Sequence, residues 1–281
     1  MTEIFPFLNE DHRYRVAMGV EYRGTDYYGW QIQKSGVPTV QGALTEAISS
    51  VANHPVDLIV AGRTDAGVHA SNQVIHFDTS SVRKEYGWTV GTNTRLPRDI
   101  SVQWAKIVDT TFHARFAARE RAYRFVVYNA PIPSGILRDG MTWERQPLDL
   151  LRMQQAAQLL IGEHDFSAFR ASECQAKSPV KEVRELTLVQ QGRLIVLQAR
   201  ANGFLHHMVR NIMGVLLAIG RGDKPVDWAQ QVLETRDRNQ GGVTASGAGL
   251  YFVRANYDRD DLPRPEAGPA FLDAFPGLDP V

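Results

Sequence analysis

The sequence lacks the features that mark secreted, metal-rich and membrane proteins. It has one cysteine, Cys174, in 281 residues, which excludes an intramolecular disulfide and a cysteine-rich zinc or iron–sulfur site and fits a reducing compartment. Its longest strongly apolar stretch, residues 212–220, is far shorter than the roughly 20 residues that cross a bilayer. The N-terminal residues include acids where a signal peptide has Lys or Arg. We therefore expect a cytoplasmic protein without a membrane segment.

The chain also lacks a net charge, which says little about nucleic-acid binding. Lys and Arg together number 31, as do Asp and Glu. The charges are unevenly placed, because residues 258–281 hold six acids and two arginines, which leaves 29 basic and 25 acidic residues elsewhere. A nucleic acid responds to the local field rather than to the total charge. The neutral total is compatible with a basic cleft and with a mixed, solvated surface.

The spacing of apolar residues predicts an alternation of strands and helices. Strands are expected over residues 14–22, 56–60, 73–77, 101–108, 123–128, 183–189, 194–199 and 250–255. Helices are expected over residues 40–51, 82–93, 148–161, 205–219 and 226–233. Thr39 is a candidate N-cap of the first helix.

This order predicts an α+β protein with two similar halves. Residues 13–110 and 111–257 each follow a strand, helix, strand, strand, helix, strand plan, which is the ferredoxin-like or RRM-like arrangement of a mainly antiparallel sheet backed by helices. Length also favours about two domains. Residues 1–12 form an N-terminal extension in this interpretation. Residues 258–281, acidic and with five prolines, are expected to be a mobile tail.

The segment GRTDAGVHA, residues 62–70, connects two predicted strands and has Asp65 near its centre. Its two glycines permit unusual dihedral angles and let a ligand approach the backbone closely. A carboxylate in the middle would repel a phosphate, so a phosphate-binding loop is disfavoured. The residues alone leave two interpretations open: Asp65 is a catalytic group, or it caps neighbouring N–H groups in a turn.

A second segment, residues 111–124, combines positive charge with aromatic rings. Its arginines and rings are Arg115, Arg119, Arg121, Arg124, Phe112, His113, Phe116 and Tyr123, against the single acid Glu120. Guanidinium groups pair with phosphates, and aromatic faces stack on unpaired bases. The segment is the best local indication of RNA binding, and a solvated strand edge with core aromatics is the alternative.

The third segment, NGFLHHMVRN, covers residues 202–211. Its adjacent histidines, His206 and His207, do not predict a metal site, because consecutive helical residues point about 100° apart and no third ligand is evident. Arg210 shares a helix face with His206. An arginine on so apolar a helix is costly to bury unless it meets an acid such as Asp65. The alternative is a side chain that extends to solvent.

Taken together, the motifs resemble those of one enzyme family. GRTDAGVHA is similar, almost word for word, to the signature loop of the TruA-type tRNA pseudouridine synthases. The resemblance spans residues 14–257 and continues in family order through YYGWQIQ (27–33), TVQG (39–42), FHAR (112–115), RAYRF (121–125), DFSAFR (165–170), SPV (178–180), GFLHHMVR (203–210) and GLY (249–251). The sequence departs from the family at Phe125, where a second Tyr is common, and in residues 258–281.

The resemblance implies the isomerisation of uridine to pseudouridine at positions 38–40 of the tRNA anticodon stem-loop. It implies no cofactor and no metal, since the uracil is detached from C1′, turned and rejoined through C5. Asp65 matches the catalytic aspartate, which attacks C1′ or removes the C2′ proton. Arg210 matches its basic partner, which would favour the ionised carboxylate. Tyr123 matches the tyrosine that stacks on the extruded uracil and assists loss of the C5 proton.

The resemblance also assigns substrate-binding residues and an assembly. Besides Tyr123, Leu250 matches the apolar side of the uridine pocket, and Arg63 matches a residue that contacts the flipped nucleotide or its phosphate. Extruding the base costs a few kcal/mol, and backbone contacts from further arginines would offset this cost: Arg115, Arg119, Arg121 and Arg170. In the family the sheets of two RRM-like halves join into one continuous sheet, with the active-site cleft between the halves. A homodimer that binds one tRNA across both subunits is implied as well.

Three other functions stay open at this stage. A non-catalytic RNA-binding or RNA-chaperone protein on the same scaffold would need the segment 111–124 but not Asp65. A hydrolase that uses Asp65 with His69 would release uracil or cleave a phosphate ester. A pseudouridine synthase could also act on RNAs other than tRNA.

Overall fold

The computed structural model describes residues 13–174, 176–265, 268–273 and 275–278, so the predicted extension 1–12 lies outside the described residues. The elements in chain order are β1 (Tyr14–Tyr22), α1 (Val40–Ala52), β2 (Ile59–Val60), β3 (His69–Thr79), α2 (Glu85–Asn93), β4 (Ile100–Val108), β5 (Ala118–Asn129), β6 (Thr142–Glu144), α3 (Leu150–Gln158), β7 (Gly162–Asp165), β8 (Val180–Gln191), β9 (Leu194–Ala201), α4 (Met208–Gly220), α5 (Trp228–Thr235) and β10 (Leu250–Tyr257). Every helix and strand expected from the sequence is present. The short strands β6 and β7 were not predicted, because neither carries an alternating apolar pattern.

The chain divides into two compact units. The first contains residues 1–119 and 252–269, and the second contains residues 120–251 and 270–281. These limits differ from the halves 13–110 and 111–257 expected from the sequence, because most of β10 belongs to the first unit. A strand that comes last in the chain gives no sequence signal of the sheet that it joins.

In the first unit the strand order is β4-β1-β3-β10, with β2 beside β3. β1 is antiparallel to both of its neighbours, and Met18 lies opposite Ile75 of β3. Seven of the nine residues of β1 are buried, so both faces of this strand are covered. Helix α1 starts where predicted, since the Thr39 hydroxyl accepts a hydrogen bond from the Gly42 N–H at 3.2 Å. The β2–β3 connection, which contains Asp65, therefore extends from the end of a central strand.

In the second unit the order is β5-β9-β8-β7, with β6 parallel to β5 and the other pairs antiparallel. The β8–β9 hairpin turns at Gly192, which has φ +58°, a conformation that favours glycine. Helix α4 is buried at every position except Arg210, which explains its apolar sequence. Among the described residues, no helix combines the length and the apolar character needed to span a membrane. The α+β class with mainly antiparallel sheets is confirmed.

The acidic C-terminal segment is more ordered than its composition suggests. Leu262, Leu272 and Phe275 are buried, and Arg259 pairs with Asp109 at 3.0 Å. The described part of residues 258–281, expected from its composition to be a mobile tail, thus places apolar side chains in buried positions and forms an ion pair. Its few apolar side chains are spaced between prolines, and prolines reduce the conformational entropy that is lost when such a segment becomes ordered.

Candidate active site

Asp65 is the first residue of a tight turn between β2 and β3. The Val68 N–H donates to the Asp65 carbonyl oxygen at 3.2 Å, and Gly67, the third residue of the turn, has φ +75°. This is a type II turn, whose third position favours glycine because a Cβ is strained there. The Asp65 side chain is half-buried and that of Arg63 is exposed.

Buried polar side chains form hydrogen bonds with this loop. Gln73 lies on β3 and is 0% exposed. Its Nε2 donates to the Gly62 carbonyl oxygen at 2.7 Å. The hydroxyls of Tyr22 and Thr64 meet at 2.8 Å. Burial raises the pKa of Tyr22 to about 12, so this hydroxyl keeps its proton and its hydrogen bond at neutral pH. The backbone on the N-terminal side of Asp65 is therefore fixed by uncharged groups.

The glycine- and aromatic-rich segment 24–30 also contacts this loop through its backbone. The Trp30 N–H donates to the Thr64 carbonyl oxygen at 3.0 Å. A Cβ on Gly24 would lie 2.0 Å from the Val68 carbonyl oxygen, and one on Gly29 would lie 2.8 Å from the Thr64 carbonyl oxygen. Only glycine permits this approach, which accounts for the glycine of the YYGWQIQ motif as well as for Gly24.

His69 anchors the same segment. It is 2% exposed, and its Nδ1 accepts the Gly24 N–H at 3.0 Å. A ring nitrogen that accepts from the backbone fixes the tautomer of the imidazole. The contact explains His69 as a support of the loop, without the acid–base role that the hydrolase alternative gives it.

In the second unit, Tyr123 and Arg121 lie on β5 opposite β9. The Tyr123 ring is buried and packs edge-to-face against Phe204, with centroids 5.0 Å apart and planes at 83°. The Arg121 Nη1 donates to the Asn202 carbonyl oxygen at 3.3 Å. The RAYRF and GFLHHMVR motifs therefore meet, since Phe204 holds the ring of Tyr123.

Arg210 lies in the first turn of α4 and is half-buried. Its Nε donates to the Ala245 carbonyl oxygen at 2.8 Å, and the Ala245 N–H donates to the Arg210 carbonyl oxygen at 3.2 Å. A Cβ on Gly214 would lie 1.9 Å from the Val243 carbonyl oxygen, so a glycine lets residues 243–245 lie against the helix. The position of the guanidinium group is thus set by a backbone carbonyl.

One premise of the sequence analysis is wrong in this region. His206 and His207 precede the helix, which begins at Met208, and His207 has φ +63°. Their rings lie 4.1 Å apart between centroids, so the angular argument for consecutive helical residues does not apply to them. The shared helix face inferred for His206 and Arg210 is wrong for the same reason.

The remaining predicted residues lie in separate places. The Arg170 Nη2 donates to the carbonyl oxygens of Cys174 at 2.5 Å and Ala176 at 3.3 Å, so this arginine orders the loop that follows it. Leu250 is buried at the start of β10. Arg115 is exposed.

Arg119 is exposed as well and is paired with an acid of the C-terminal segment. Its Nε lies 2.7 Å from Asp258 Oδ2, and the two side chains are 70% and 72% exposed. Such a surface pair contributes about 0–1 kcal/mol. The ion pair therefore leaves Arg119 able to exchange Asp258 for another anion.

The residues that support the site have little signal in the sequence. Tyr22, Gln73 and Phe204 carry no charge and sit in ordinary strand and loop patterns. Gln73 alone had a usable signal, since a buried polar residue within the strand sequence QVIHF requires a hydrogen-bonding partner. The sequence does not say which carbonyl that partner is.

Comparisons with known proteins agree on one family. A family model described as tRNA pseudouridine synthase matches residues 18–117 and 156–258. tRNA pseudouridine synthase A of Pseudomonas aeruginosa is 55% identical over 94% of this chain and 93% of its own length. The protein of the same name from Coxiella burnetii is 52% identical over 92% and 99%, and that of Alcanivorax borkumensis is 51% identical over 92% and 97%.

Among solved structures, a chain of a Cbf5–Nop10–Gar1 complex matches with a TM-score of 0.38 at 10% identity, over 85% of this chain and 49% of that chain. A similarity this low carries no argument about fold or function. The sequence matches suffice, since both the family model and the relatives cover most of the chain. The chain belongs to the tRNA pseudouridine synthase family.

Proposed function

We propose that this chain isomerises uridine to pseudouridine at positions 38–40 of the tRNA anticodon stem-loop, with Asp65 as the catalytic carboxylate. Membership of the family supports isomerisation of a tRNA uridine and disfavours a non-catalytic RNA-binding protein. The three positions rest on the resemblance of the GRTDAGVHA loop and its companion motifs.

The observation that carries the proposal is the support of the Asp65 loop, residues 61–68. Buried Gln73 and Tyr22 form hydrogen bonds with residues of the loop. The Trp30 N–H donates to the loop as well, and the backbone at Gly24 packs closely against it. A catalytic group must keep its position within about 0.5 Å to act efficiently. The contacts of the Asp65 loop meet this requirement.

The reaction balances without a co-reactant. The C1′–N1 bond breaks and a C1′–C5 bond forms, while N1 gains a proton and C5 loses one. Asp65 starts the reaction by attacking C1′ as a nucleophile or by accepting the C2′ proton. Both routes require the ionised carboxylate.

The other assignments belong to the same proposal. Arg210 is the basic partner of the catalytic aspartate, and Tyr123 stacks on the extruded uracil beside Leu250. The Arg210 contact with Ala245 and the Tyr123 contact with Phe204 support these roles, because each restricts the side chain concerned. Arg63 contacts the flipped nucleotide. The arginines proposed to contact the RNA backbone are Arg115, Arg119, Arg121 and Arg170.

The test compares the wild type with Asp65→Asn and with the control Asp57→Asn, an exposed aspartate just before β2. Each protein is incubated with an unmodified tRNA transcript that has uridines at 38, 39 and 40. Pseudouridine is mapped by its carbodiimide adduct and the resulting reverse-transcriptase stops. We expect stops in the anticodon arm with the wild type and with Asp57→Asn, and none with Asp65→Asn.

Binding and folding measurements separate the alternatives. Asp65→Asn should bind tRNA as the wild type does, since Asp65 contributes to chemistry rather than to affinity. Loss of the circular dichroism signal in Asp65→Asn would support the capping role instead. A wild type that binds tRNA tightly but produces no stops would contradict the proposed reaction on this substrate.

A homodimer and a cytoplasmic location complete the proposal. The dimer rests on the sequence resemblance, and the location rests on composition and on the tRNA substrate of the family. Sedimentation equilibrium of the purified chain tests the dimer directly. A monomer at micromolar concentration would refute it.

A further inference from the structure

The loop before β5, residues 109–117, presents an aromatic ring to solvent. Phe116 is 75% exposed, and its ring stacks on that of His113 with centroids 4.3 Å apart and planes at 25°. The Arg115 guanidinium lies 5.6 Å from the Phe116 centroid, within cation–π range. His113, Arg115 and Phe116, here called the Phe116 platform, thus combine a stacked pair of rings with a positive charge.

The loop that carries the platform is held firmly. The Arg15 Nη1 donates to the carbonyl oxygens of Thr110 at 2.7 Å and Phe112 at 2.6 Å. The Tyr257 hydroxyl donates to the Ala114 carbonyl oxygen at 2.7 Å. Anchors from two strands, β1 and β10, therefore fix the backbone on the N-terminal side of Phe116.

His113 fixes the rest of the loop through its own ring. Its Nδ1 accepts the N–H groups of Arg115 at 3.2 Å and of Phe116 at 3.1 Å. An acceptor at Nδ1 requires the neutral imidazole with its proton on Nε2. Burial, aided by the charges of Arg15 and Arg115, lowers the pKa of His113, which favours the same form. The platform is therefore preorganised at neutral pH.

A single exposed apolar residue is ordinary on a protein surface. Tyr86 on α2 is equally exposed, at 77%, and makes a suitable comparison in the same unit. Phe116 differs from such residues because it is stacked, flanked by a cation and set on an anchored loop. Aromatic rings and guanidinium planes in this arrangement are what proteins use to stack unpaired RNA bases.

We propose that the Phe116 platform stacks an unpaired base of the tRNA substrate, with Arg115 neutralising a neighbouring phosphate. This inference rests on the proposed function for the identity of the RNA. It adds Phe116 and His113 to the substrate-binding residues and gives them a role distinct from the chemistry at Asp65. A preformed ring loses little conformational entropy when a base stacks on it, so the ordered loop favours binding.

The test measures dissociation constants by fluorescence anisotropy for an unmodified tRNA transcript and for a fully paired RNA duplex. The proteins are the wild type, Phe116→Ala, Phe116→Trp and the control Tyr86→Ala. Loss of one stacked base should weaken tRNA binding by Phe116→Ala roughly 5- to 150-fold. Phe116→Trp and Tyr86→Ala should bind within about 2-fold of the wild type, because the first keeps a stacking ring and the second lies off the platform.

Binding to the duplex tests whether lost stacking causes the lower tRNA affinity of Phe116→Ala. The duplex has no unpaired base, so Phe116→Ala should bind it as the wild type does. The same salt dependence in both proteins would show that no phosphate contact has been lost. An equal loss on tRNA and duplex would overturn the inference, as would an unchanged affinity of Phe116→Ala for tRNA.

Three outcomes separate this inference from others. If Phe116→Ala changes the sedimentation of the free protein, a second copy of the chain covers the platform and the inference is wrong. If the wild type forms no pseudouridine but Phe116→Ala still loses tRNA affinity, the proposed reaction fails and the platform stands as an RNA contact. If pseudouridine forms and Phe116→Ala binds normally, the platform alone fails.

Discussion

Two loops of the first unit are built on the same strand and held in different ways. The Asp65 loop and the Phe116 loop, residues 109–117, each depend on a buried histidine of β3. His69 accepts the Gly24 N–H beside the first loop, and His76 accepts the Ala114 N–H of the second. One strand thus supports both a candidate catalytic group and a candidate RNA contact.

The other anchors of the two loops differ in charge. Around the Asp65 loop they are the uncharged side chains of Gln73 and Tyr22 and a close backbone approach at Gly24. Around the Phe116 loop they include Arg15, which also pairs with Asp78 at 2.7 Å. Uncharged, tightly packed contacts change little with pH or salt and suit a group that must keep its position. Charged contacts make the binding loop the more sensitive of the two.

The largest expected effect on the reaction rate comes from adding a Cβ at Gly24. In Gly24→Ala the new Cβ would meet the Val68 carbonyl oxygen at 2.0 Å, and a backbone atom cannot move without displacing the turn. A misplacement of about 1 Å can cost on the order of 100-fold in rate. We expect kcat to fall by about that factor, with tRNA affinity retained, in single-turnover assays of pseudouridine formation.

The matched control for this prediction is Gly87→Ala on α2. A Cβ there meets nothing within 4 Å, and alanine favours a helix by roughly 1 kcal/mol over glycine. Gly87→Ala should therefore keep full activity. Equal rates for Gly24→Ala and wild type would show that the Asp65 loop tolerates movement, and the contrast between the two loops would fail.

Acid pH should act on the anchor of the Phe116 loop. His76 is 1% exposed, and burial, together with Arg15 and His113, lowers its pKa to about 3, against about 6.5 in an unfolded chain. Between these two pH values the unfolded state binds a proton that the folded state does not. The contribution of His76 to the free energy of unfolding is therefore fully present above pH 6.5 and decreases as the pH drops. The expected slope from this group is on the order of 1 kcal/mol per pH unit.

Urea unfolding of wild type and His76→Gln between pH 7 and pH 5 measures this slope. Asp78, the acid that favours the charged imidazole, stays in place in both proteins. The variant lacks the titrating ring and should show a shallower decline, whereas the control His54→Gln retains His76 and should decline as the wild type does. Parallel declines in wild type and His76→Gln would remove His76 as the acid-sensitive anchor.

The smallest effect is expected at the ion pair between Arg119 and Asp258. Both side chains are largely exposed, so Asp258→Asn should cost little stability. It should strengthen tRNA binding about 2-fold at low salt and less at high salt, because an acid that competes with phosphate has been removed. The control is Asp260→Asn, whose acid is 98% exposed and pairs with Arg264 instead. Equal gains in both variants would show a general charge effect rather than competition at Arg119.

Much of this architecture could be predicted because it depends on local patterns. The alternation of β1, the helical spacing of α1 with its Thr39 cap, and the turn glycine Gly192 each concern residues close in sequence. The glycine at position 67 likewise marks the turn that holds Asp65. These features are set by φ/ψ preferences and by the burial of one face, which neighbouring residues determine.

Other features of the structure are not indicated by local patterns in the sequence. Arg259 of the acidic C-terminal segment pairs with Asp109, which lies 150 positions earlier. β10 was expected in the second half, although most of it belongs to the first unit. The start of α4 was placed three residues early, because apolar spacing does not reveal that His207 adopts a left-handed conformation.

The sequence by itself determined the α+β class, the order of the predicted elements, the family and the candidate Asp65, since these follow from local patterns and from a motif with a specific chemistry. Only the tertiary structure decided how the candidate residues are held. Gln73 on the Gly62 carbonyl, Ala245 on Arg210 and His113 beneath Phe116 are pairings that the chain could make in many other ways. The physical reason is that a buried polar group must find a hydrogen-bonding partner, and folding alone selects which group comes within reach.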